Sequence, residues 1–487
     1  MSSAPLLSAG APGHGSGVIA AEGQERPPRS SWPGRAVDTE EAWAQLRFAA
    51  PMILTSISYY GIPLVSVMFS GHLGDVQLAG ATLGNSWATV TGYAFVTGLS
   101  GGLETLCGQA YGARQYRMLG LYLQSSLIMS AAVSVLISVL WCFTEPLLLF
   151  LRQDPEVSRA AAEFVQPQVP GLFAFAFLQC LLRYLQMQSV VVPLVVCSAA
   201  PLALHVALVH LLVNVIGMGL AGASAAISAT FWVSCLMLLV YVLRSEVFGE
   251  TWKGFSTEAF RYVLPSVKLA APSAVMVCLE IWAFELLVLV AGLLPNSAVS
   301  TSLIAMCSST EAIAFMITYG FSAAVSTRVS NEIGAGNVDK AKHAVSVTMK
   351  LSVPLSISFA LLLAFGHDLW ASLFSGSSRI VSEFAAITPL MIISMMLDST
   401  QGVLSGVSRG CGWQHLGAMT NLVAYYFVGL PLAILFAFKL KFYTKGLWAG
   451  LICGLACQAA SLLVITVRTK WTKIAEATQE EKANYVA

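Results

Sequence analysis

Four acidic residues lie inside long apolar runs, where a charged side chain is hard to place. They are Glu280, Glu285, Glu311 and Asp398. An ionised carboxylate at the centre of a bilayer costs about 2.5–3.5 kcal/mol even on a lenient insertion scale, so each of these acids needs a reason to be there. Burial favours the neutral form of a carboxyl group, and such a group can take up and release a proton. The four acids therefore indicate a site that couples to protons or other cations.

A structural role for these acids is the alternative, because a protonated or hydrogen-bonded carboxyl group also ties helices together. Five residues separate Glu280 from Glu285, which is about 140° around an ideal helix, so the two side chains do not point at one spot. The first half of the chain has no acid at a comparable depth in its apolar runs. We therefore expect the acid chemistry to be confined to the second half.

Aromatic residues near these acids are suited to an organic cation, which a ring face holds with about 0.5–2 kcal/mol. The candidate residues of a substrate cavity are Tyr59, Tyr60, Trp87, Trp282, Phe315, Tyr319 and Tyr425. Aromatic side chains also pack between membrane helices or form interface belts. Ordinary packing thus stays open for each of them.

The composition excludes a soluble protein. Of 487 residues, 56% are hydrophobic and 10% are charged, whereas soluble domains carry about 25% charged residues. The net charge of +1 offers no basic surface for nucleic acid, and the ten cysteines lack metal-type spacing. The expected partners are small organic substrates, protons and the lipid bilayer. We expect a monomer without a metal or cofactor.

Long apolar runs recur along the chain and predict membrane spans. Such runs must be helices, because the hydrocarbon cannot satisfy an open backbone and the runs are too long for barrel strands. We place the spans near 48–71, 79–101, 119–144, 162–182, 190–213, 219–243, 265–293, 300–325, 346–368, 384–407, 417–438 and 446–467. The predicted fold class is an all-α polytopic membrane protein with twelve transmembrane helices.

The basic residues predict the orientation of these spans. With twelve spans and a cytoplasmic start, 20 Lys and Arg residues fall on the cytoplasmic side and 6 on the other, which predicts that both termini are cytoplasmic. Arg183 and Arg409 count here as charges of cytoplasmic loops. The predicted organisation is a disordered tail (1–41), a first lobe (42–245), a linker (246–264), a second lobe (265–468) and a C-terminal tail (469–487).

The two halves of the chain repeat each other. Ala49-Ala50-Pro51 precedes Ala270-Ala271-Pro272 by 221 residues, and Gly219-Leu220 recurs as Gly446-Leu447. Two six-helix halves that enter from the same side form a parallel repeat around an axis along the membrane normal. This architecture is typical of transporters that work by alternating access.

Two glycine motifs, at 108–113 and 331–336, occupy corresponding places in the halves. Neither has the lysine pattern or the preceding strand of a phosphate-binding loop. We expect both to be tight turns that join helices. An enzyme is not expected either, because no nucleophile, metal cluster or nucleotide motif has credible spacing.

Several motifs resemble the plant branch of the multidrug and toxic compound extrusion (MATE) family. They include Gly71-His72-Leu73-Gly74-Asp75, the run from Leu103 to Ala113, the run from Ser326 to Gly336 and Arg409-Gly410-Cys411-Gly412-Trp413-Gln414. The resemblance extends from about residue 42 to 470, with motifs in both halves. It implies the MATE fold of two six-helix lobes. It also implies secondary active efflux of organic substrates, in plants usually by exchange for protons.

The resemblance also assigns roles to the acids. It implies that Glu280 and Asp398 belong to the site for the coupling cation and the substrate, that Glu285 matches a further cavity acid, and that Glu311 has a counterpart in only some relatives. The expected driving force is a proton gradient, with Na⁺ as the open alternative. Organic anions, flavonoid conjugates or hormones stay open as substrates, a passive channel stays open as a mechanism, and both the vacuolar and the plasma membrane stay open as locations.

Overall fold

The protein is described here by a computed structural model that covers residues 38–374, 377–473 and 476. The predicted disordered tail, apart from its last residues, and most of the predicted C-terminal tail lie outside these described residues. Within them the chain is almost entirely helical. Eleven helices are long and apolar enough to cross a membrane. The prediction of an all-α polytopic membrane protein is confirmed.

Six long helices form each half of the described chain. In the first half they are α1 (Thr39–Gly71), α2 (Asp75–Ala88, Thr89–Tyr93, Ala94–Ser100 and Gly102–Gly112), α3 (Tyr116–Cys142), α4 (Pro155–Met187), α5 (Val192–Val215) and α6 (Gly219–Arg244). In the second half they are α7 (Thr257–Ala291), α8 (Ser297–Gly334), α9 (Val338–Phe374), α10 (Ser378–Cys411), α11 (Gln414–Lys439) and α12 (Tyr443–Arg468).

The internal repeat is visible in the helix bounds. Helix α2 begins at Asp75 and ends at Gly112, and α8 begins at Ser297 and ends at Gly334, so both bounds are displaced by the same number of residues. Helices α6 and α12, the last of each half, both contain 26 residues. The two six-helix lobes therefore share the same arrangement of helices along the chain.

Helix α2 is the predicted span that is missing from these eleven helices, because its many glycines and polar residues make it less apolar than the others. A π-helical turn, Thr89–Tyr93, divides it. The indole of Trp141 packs so tightly against Gly92 that a Cβ there would lie 2.3 Å from the ring, and the Trp141 Nε1–H donates to Thr91 Oγ1 at 2.9 Å. The predicted span 79–101 is thus present as consecutive helical pieces.

Each lobe has its own apolar core. Trp141, Tyr184 and Phe231 are fully buried in the first lobe, and Phe384 and Trp448 are fully buried in the second. A third group of apolar side chains, with Ala49 of α1 and Val325 of α8 among them, lies where the two lobes meet. The lobes are therefore separate packing units in direct contact.

The expectation that the two glycine motifs form tight turns is correct only for their last residues, because most of each motif is helical. Helix α2 continues to Gly112 and α8 to Gly334 before the chain turns. A Cβ at Gly112 would lie 1.9 Å from the Asn331 carbonyl oxygen, and one at Gly334 would lie 2.1 Å from that of Gln109. The glycines serve the close approach of two helix ends, one from each lobe. We call this end of the molecule, where α2 and α8 finish in contact, the closed end.

This contact yields a test. Gly112→Ala is expected to destabilise the protein by about 1–3 kcal/mol, because the added methyl overpacks a backbone contact. The measurement is the unfolding temperature of purified protein in detergent. The matched control is Gly366→Ala in α9, where nothing lies within 4 Å of an added Cβ. Equal unfolding temperatures for the two variants would contradict the contact.

Candidate functional site

One face of α10 organises the site. Polar residues recur along this helix at intervals of three or four positions, the spacing that places side chains on one helix face. All of them are buried. They are Ser394, Asp398, Gln401, Ser405 and Arg409. We call this set the α10 polar face.

Glu280 and Asp398 meet at a single amide group. The Nε2 of Gln401 donates to Glu280 Oε1 at 2.9 Å and to Asp398 Oδ1 at 2.8 Å. The Ser405 hydroxyl donates to Gln401 Oε1 at 3.0 Å, which orients the amide. The structure thus brings together a predicted acid of α7 and a predicted acid of α10.

Glu311 of α8 joins the same region from the other side. Its Oε2 accepts a hydrogen bond from the Ser394 hydroxyl at 2.8 Å, and Trp448 Nε1–H donates to the same hydroxyl at 3.1 Å. Its charge interacts with that of Asp398. Three of the four predicted acids therefore form one cluster, contributed by α7, α8 and α10. We call Glu280, Glu311 and Asp398 the acid cluster.

Glu285 is separate from this cluster. It lies on a different side of α7 from Glu280, as its offset around the helix predicts, and it is partly buried. Its charge interacts with Tyr60 of α1, which belongs to the first lobe. These two predicted residues, one from each lobe, therefore lie near each other.

Two of the predicted cavity aromatics lie within the cores of the lobes. The Tyr59 hydroxyl and that of Ser234 lie 2.7 Å apart in the first lobe. The Tyr425 hydroxyl donates to Gln458 Oε1 at 2.8 Å in the second lobe. Both tyrosines are buried. Their hydrogen bonds hold helices within one lobe together.

Of the remaining aromatics, Trp282 contacts the other lobe directly. Trp282 Nε1–H donates to the Val90 carbonyl oxygen at 3.0 Å, which joins α7 to the π-helical turn of α2. The rings of Phe315 and Tyr319 lie 6.3 Å apart on α8. Trp87 is partly buried and packs on the core of the first lobe.

A buried ionic cluster also lies between the lobes. Glu104 of α2, which has no exposed surface, accepts a hydrogen bond from Arg409 Nε at 3.0 Å and one from the Ser326 hydroxyl at 2.6 Å. Its other carboxylate oxygen lies 3.3 Å from Arg183 Nε, and the Arg183 guanidinium lies 5.4 Å from the centre of the Tyr319 ring. One acid thus pairs with two buried arginines. We call Glu104, Arg183 and Arg409 the ionic cluster.

This cluster adds a buried acid to the first half and corrects one expectation. Glu104 is fully buried, but it lies beyond the predicted span 79–101 and is paired with arginines, so the expectation that proton-coupling acids lie in the second half stays a prediction. The prediction that Arg183 and Arg409 lie in cytoplasmic loops is wrong, because they lie inside α4 and α10. The signal for Arg409 was present in the sequence, since it continues the spacing of the α10 polar face. The signal for Glu104 was its place only three residues beyond the predicted span 79–101.

The first turn of α1 binds the second lobe at the closed end. The Glu41 carboxylate accepts two hydrogen bonds from Arg328, at 3.0 and 2.7 Å. Asp38 caps the helix, accepting from the backbone N–H groups of Glu40 and Glu41, and lies 3.1 Å from His343 Nε2. The backbone hydrogen bond from Glu41 and the side chain of His343 hold the pKa of Asp38 below its usual value. Ion pairs at the surface and in the interior thus join the lobes at one end.

Comparisons with known proteins match this architecture. The sequence model of the MatE family matches residues 51–215 and 272–435, one segment in each half. Protein DETOXIFICATION 18 of Arabidopsis thaliana is 52% identical over 449 residues, which are 92% of this chain and 96% of that protein. Protein DETOXIFICATION 16 of the same plant is 42% identical, and the alignment covers 92% of each chain.

Solved structures agree with the fold. The crystal structure of the eukaryotic MATE transporter AtDTX14 is 36% identical and superposes with a TM-score of 0.88, covering 91% of this chain and 99% of that one. An outward-facing multidrug resistance MATE family transporter of the MOP superfamily is 18% identical, with a TM-score of 0.79 and coverage of 90% and 97%. The second likeness concerns the fold alone.

Proposed function

The chain belongs to the MatE family and is a MATE-type multi-pass membrane transporter, and from this premise we propose that it exports small organic molecules in exchange for protons. The observation that carries the proposal is the acid cluster inside the second lobe. Its carboxyl groups come from three helices; Asp398 and Glu311 are buried and Glu280 is partly exposed, and neutral polar groups donate hydrogen bonds to all three.

The partners of the acids support proton exchange at this cluster. The hydrogen bonds to Glu280, Asp398 and Glu311 come from neutral groups, the Gln401 amide and the Ser394 hydroxyl. Glu104, in contrast, is held by two arginines. Neutral donors leave a carboxyl group free to change its protonation state, whereas two adjacent cations fix the ionised state. The acid cluster is therefore suited to proton exchange, and the ionic cluster to a structural role.

Transport follows from the two protonation states. With ionised acids, the cluster supplies the counter-charge for an organic cation. Protonation removes that counter-charge and favours release of the cation. Each bound species favours the lobe arrangement to which it binds better, which is what alternating access requires.

The orientation follows from the distribution of basic residues. The excess of Lys and Arg on one side of the spans predicts that this side, together with both termini, is cytoplasmic. The closed end, which carries Arg328 and Arg409, belongs to that side. On this proposal the lobes are closed towards the cytoplasm and the acid cluster exchanges protons with the opposite compartment, either the vacuolar lumen or the cell exterior.

Uptake of a fluorescent organic cation into inside-out vesicles that contain the purified protein tests the proposal. An acidic interior is expected to drive accumulation, because protons leave as the cation enters. An ionophore that exchanges H⁺ for K⁺ is the control and should abolish the accumulation. Uptake that ignores the proton gradient would contradict the proposal and indicate a passive channel, and uptake that follows only an imposed Na⁺ gradient would contradict proton coupling.

A further inference from the structure

We propose that Gln401 is a positioning residue of the proton site, whose one amide group holds Glu280 and Asp398 together and sets the pH at which this pair exchanges protons. The inference rests on the proposed proton coupling. Gln401 is fully buried, and neither its residue type nor its position in an apolar span singles it out in the sequence. Its contacts do.

Both the nitrogen and the oxygen of the Gln401 side-chain amide form hydrogen bonds. Its NH₂ group has two protons, and it donates to two carboxylates, one on α7 at 2.9 Å and one on α10 at 2.8 Å. Its oxygen accepts the hydroxyl proton of Ser405 at 3.0 Å. The orientation with the NH₂ group towards the acids thus satisfies all three neighbours. The amide is the only group in these contacts that touches both carboxylates.

The consequence for protonation follows from the direction of the hydrogen bonds. A donor to a carboxylate forms a stronger hydrogen bond when that carboxylate is ionised than when it is neutral. Gln401 therefore stabilises the ionised form of both acids at once. Because one nitrogen serves both, a proton that binds to one carboxyl group changes the hydrogen bonding of the other, so the two acids titrate as a pair.

The other titratable groups around the pair do not depend on Gln401. Glu311 of α8, Tyr425 of α11 and Arg409 of α10 interact electrostatically with one or both acids. Helices α9 and α12 contribute neutral side chains to the surrounding hydrogen bonds, namely Trp370, Trp448 and Gln458. A variant of Gln401 leaves all of these groups in place. A change in the pH profile then reports on the amide.

The test is Gln401→Met, which keeps the length of the side chain and removes its donors. The first measurement is the infrared carboxylic-acid C=O band of the purified protein as a function of pH, assigned with Glu280→Gln and Asp398→Asn. The second is the pH dependence of vesicle uptake. We expect the midpoint of both to move upward by about one pH unit or more, the size expected for a lost hydrogen bond to a charged group.

The matched control is Gln168→Met in the first lobe. Gln168 is also fully buried, accepts from the Tyr93 hydroxyl and donates to the Phe164 carbonyl oxygen, so it has a purely structural set of contacts. This variant can lower the unfolding temperature but should leave the infrared midpoint unchanged. If Gln401 has only a structural role, Gln401→Met should likewise lower the unfolding temperature and leave the infrared midpoint unchanged.

The outcomes separate this inference from the proposed function. A folded Gln401→Met protein with the infrared midpoint of the unaltered chain would overturn the inference. Absence of gradient-driven uptake by the unaltered chain would overturn proton coupling, whereas the infrared titration would still decide the role of Gln401. If Gln401→Met does not fold, Ser405→Ala decides instead. It frees the amide oxygen and should raise the infrared midpoint by a smaller amount, and an unchanged midpoint would overturn the inference.

Discussion

Replacement of Glu104 by glutamine is expected to destabilise the protein by about 3–5 kcal/mol, the cost of leaving buried charges without their partner. Glu104 is the shared partner of Arg183 and Arg409, and all three side chains are at least nine-tenths buried. Glutamine keeps the shape but not the charge, so two guanidinium groups are left without a counter-charge. The measurement is the unfolding temperature in detergent, together with the yield of folded protein.

Two further variants show whether the loss of charge is the cause. Glu156→Gln makes the same chemical change at an exposed position in the first turn of α4 and should change stability by less than about 0.5 kcal/mol. Glu104→Gln combined with Arg409→Met removes one of the two unpaired charges and should recover part of the lost stability. If the Glu104→Gln variant were as stable as the Glu156→Gln variant, this result would contradict the structural role of the ionic cluster.

The fold could be predicted from the sequence because its signals are local and repeated. Apolar runs of membrane length require helices, and the recurrence of Ala49-Ala50-Pro51 as Ala270-Ala271-Pro272 indicates two halves. The bounds of the helices were less accessible. The apolar signal of α2 ends near residue 101, yet the helix continues through Gly102–Gly112 because its glycines pack against α8. A hydropathy pattern therefore underestimates the length of a helix whose polar end packs against another helix.

The same reason explains why the ionic cluster was missed. Glu104 lies in that polar continuation of α2, and its partner Arg409 is more than 300 positions away. Each looks like a flanking charge when it is considered alone. The acids of the second half were accessible because they interrupt apolar runs, so their cost in a membrane is visible without a partner.

The role of Gln401 could not be predicted from the sequence for a different reason. An amide in a membrane helix is inexpensive compared with a charge, so its presence does not demand an explanation. Its role depends on its distance from Glu280, which lies on another helix. The periodicity of the α10 polar face was nevertheless readable. It places Asp398 and Arg409 on one side of one helix, about 16 Å apart along its axis, so α10 carries both the acid cluster and the ionic contact between the lobes.

The two acids of the shared amide are expected to be indispensable for transport. Glu280→Gln and Asp398→Asn should each reduce gradient-driven uptake of an organic cation at least tenfold. A tenfold lower rate means that the activation free energy of transport is higher by about 1.4 kcal/mol. Glutamine and asparagine cannot exchange a proton in this range of pH. Any uptake that remains should depend less on pH than that of the unaltered chain. The measurement is vesicle uptake over a range of interior pH values.

These amide substitutions also separate proton exchange from a structural role. Glutamine at position 280 and asparagine at position 398 keep a carbonyl oxygen that can accept the Gln401 N–H, so the hydrogen bonds observed at 2.9 and 2.8 Å can persist. The control is Glu163→Gln at an exposed position of α4, which should keep full uptake. If the acids only tie α7 to α10, uptake should persist in both variants. Normal gradient-driven uptake by Glu280→Gln and Asp398→Asn would therefore refute proton exchange at this pair, whereas folded proteins without uptake would support it.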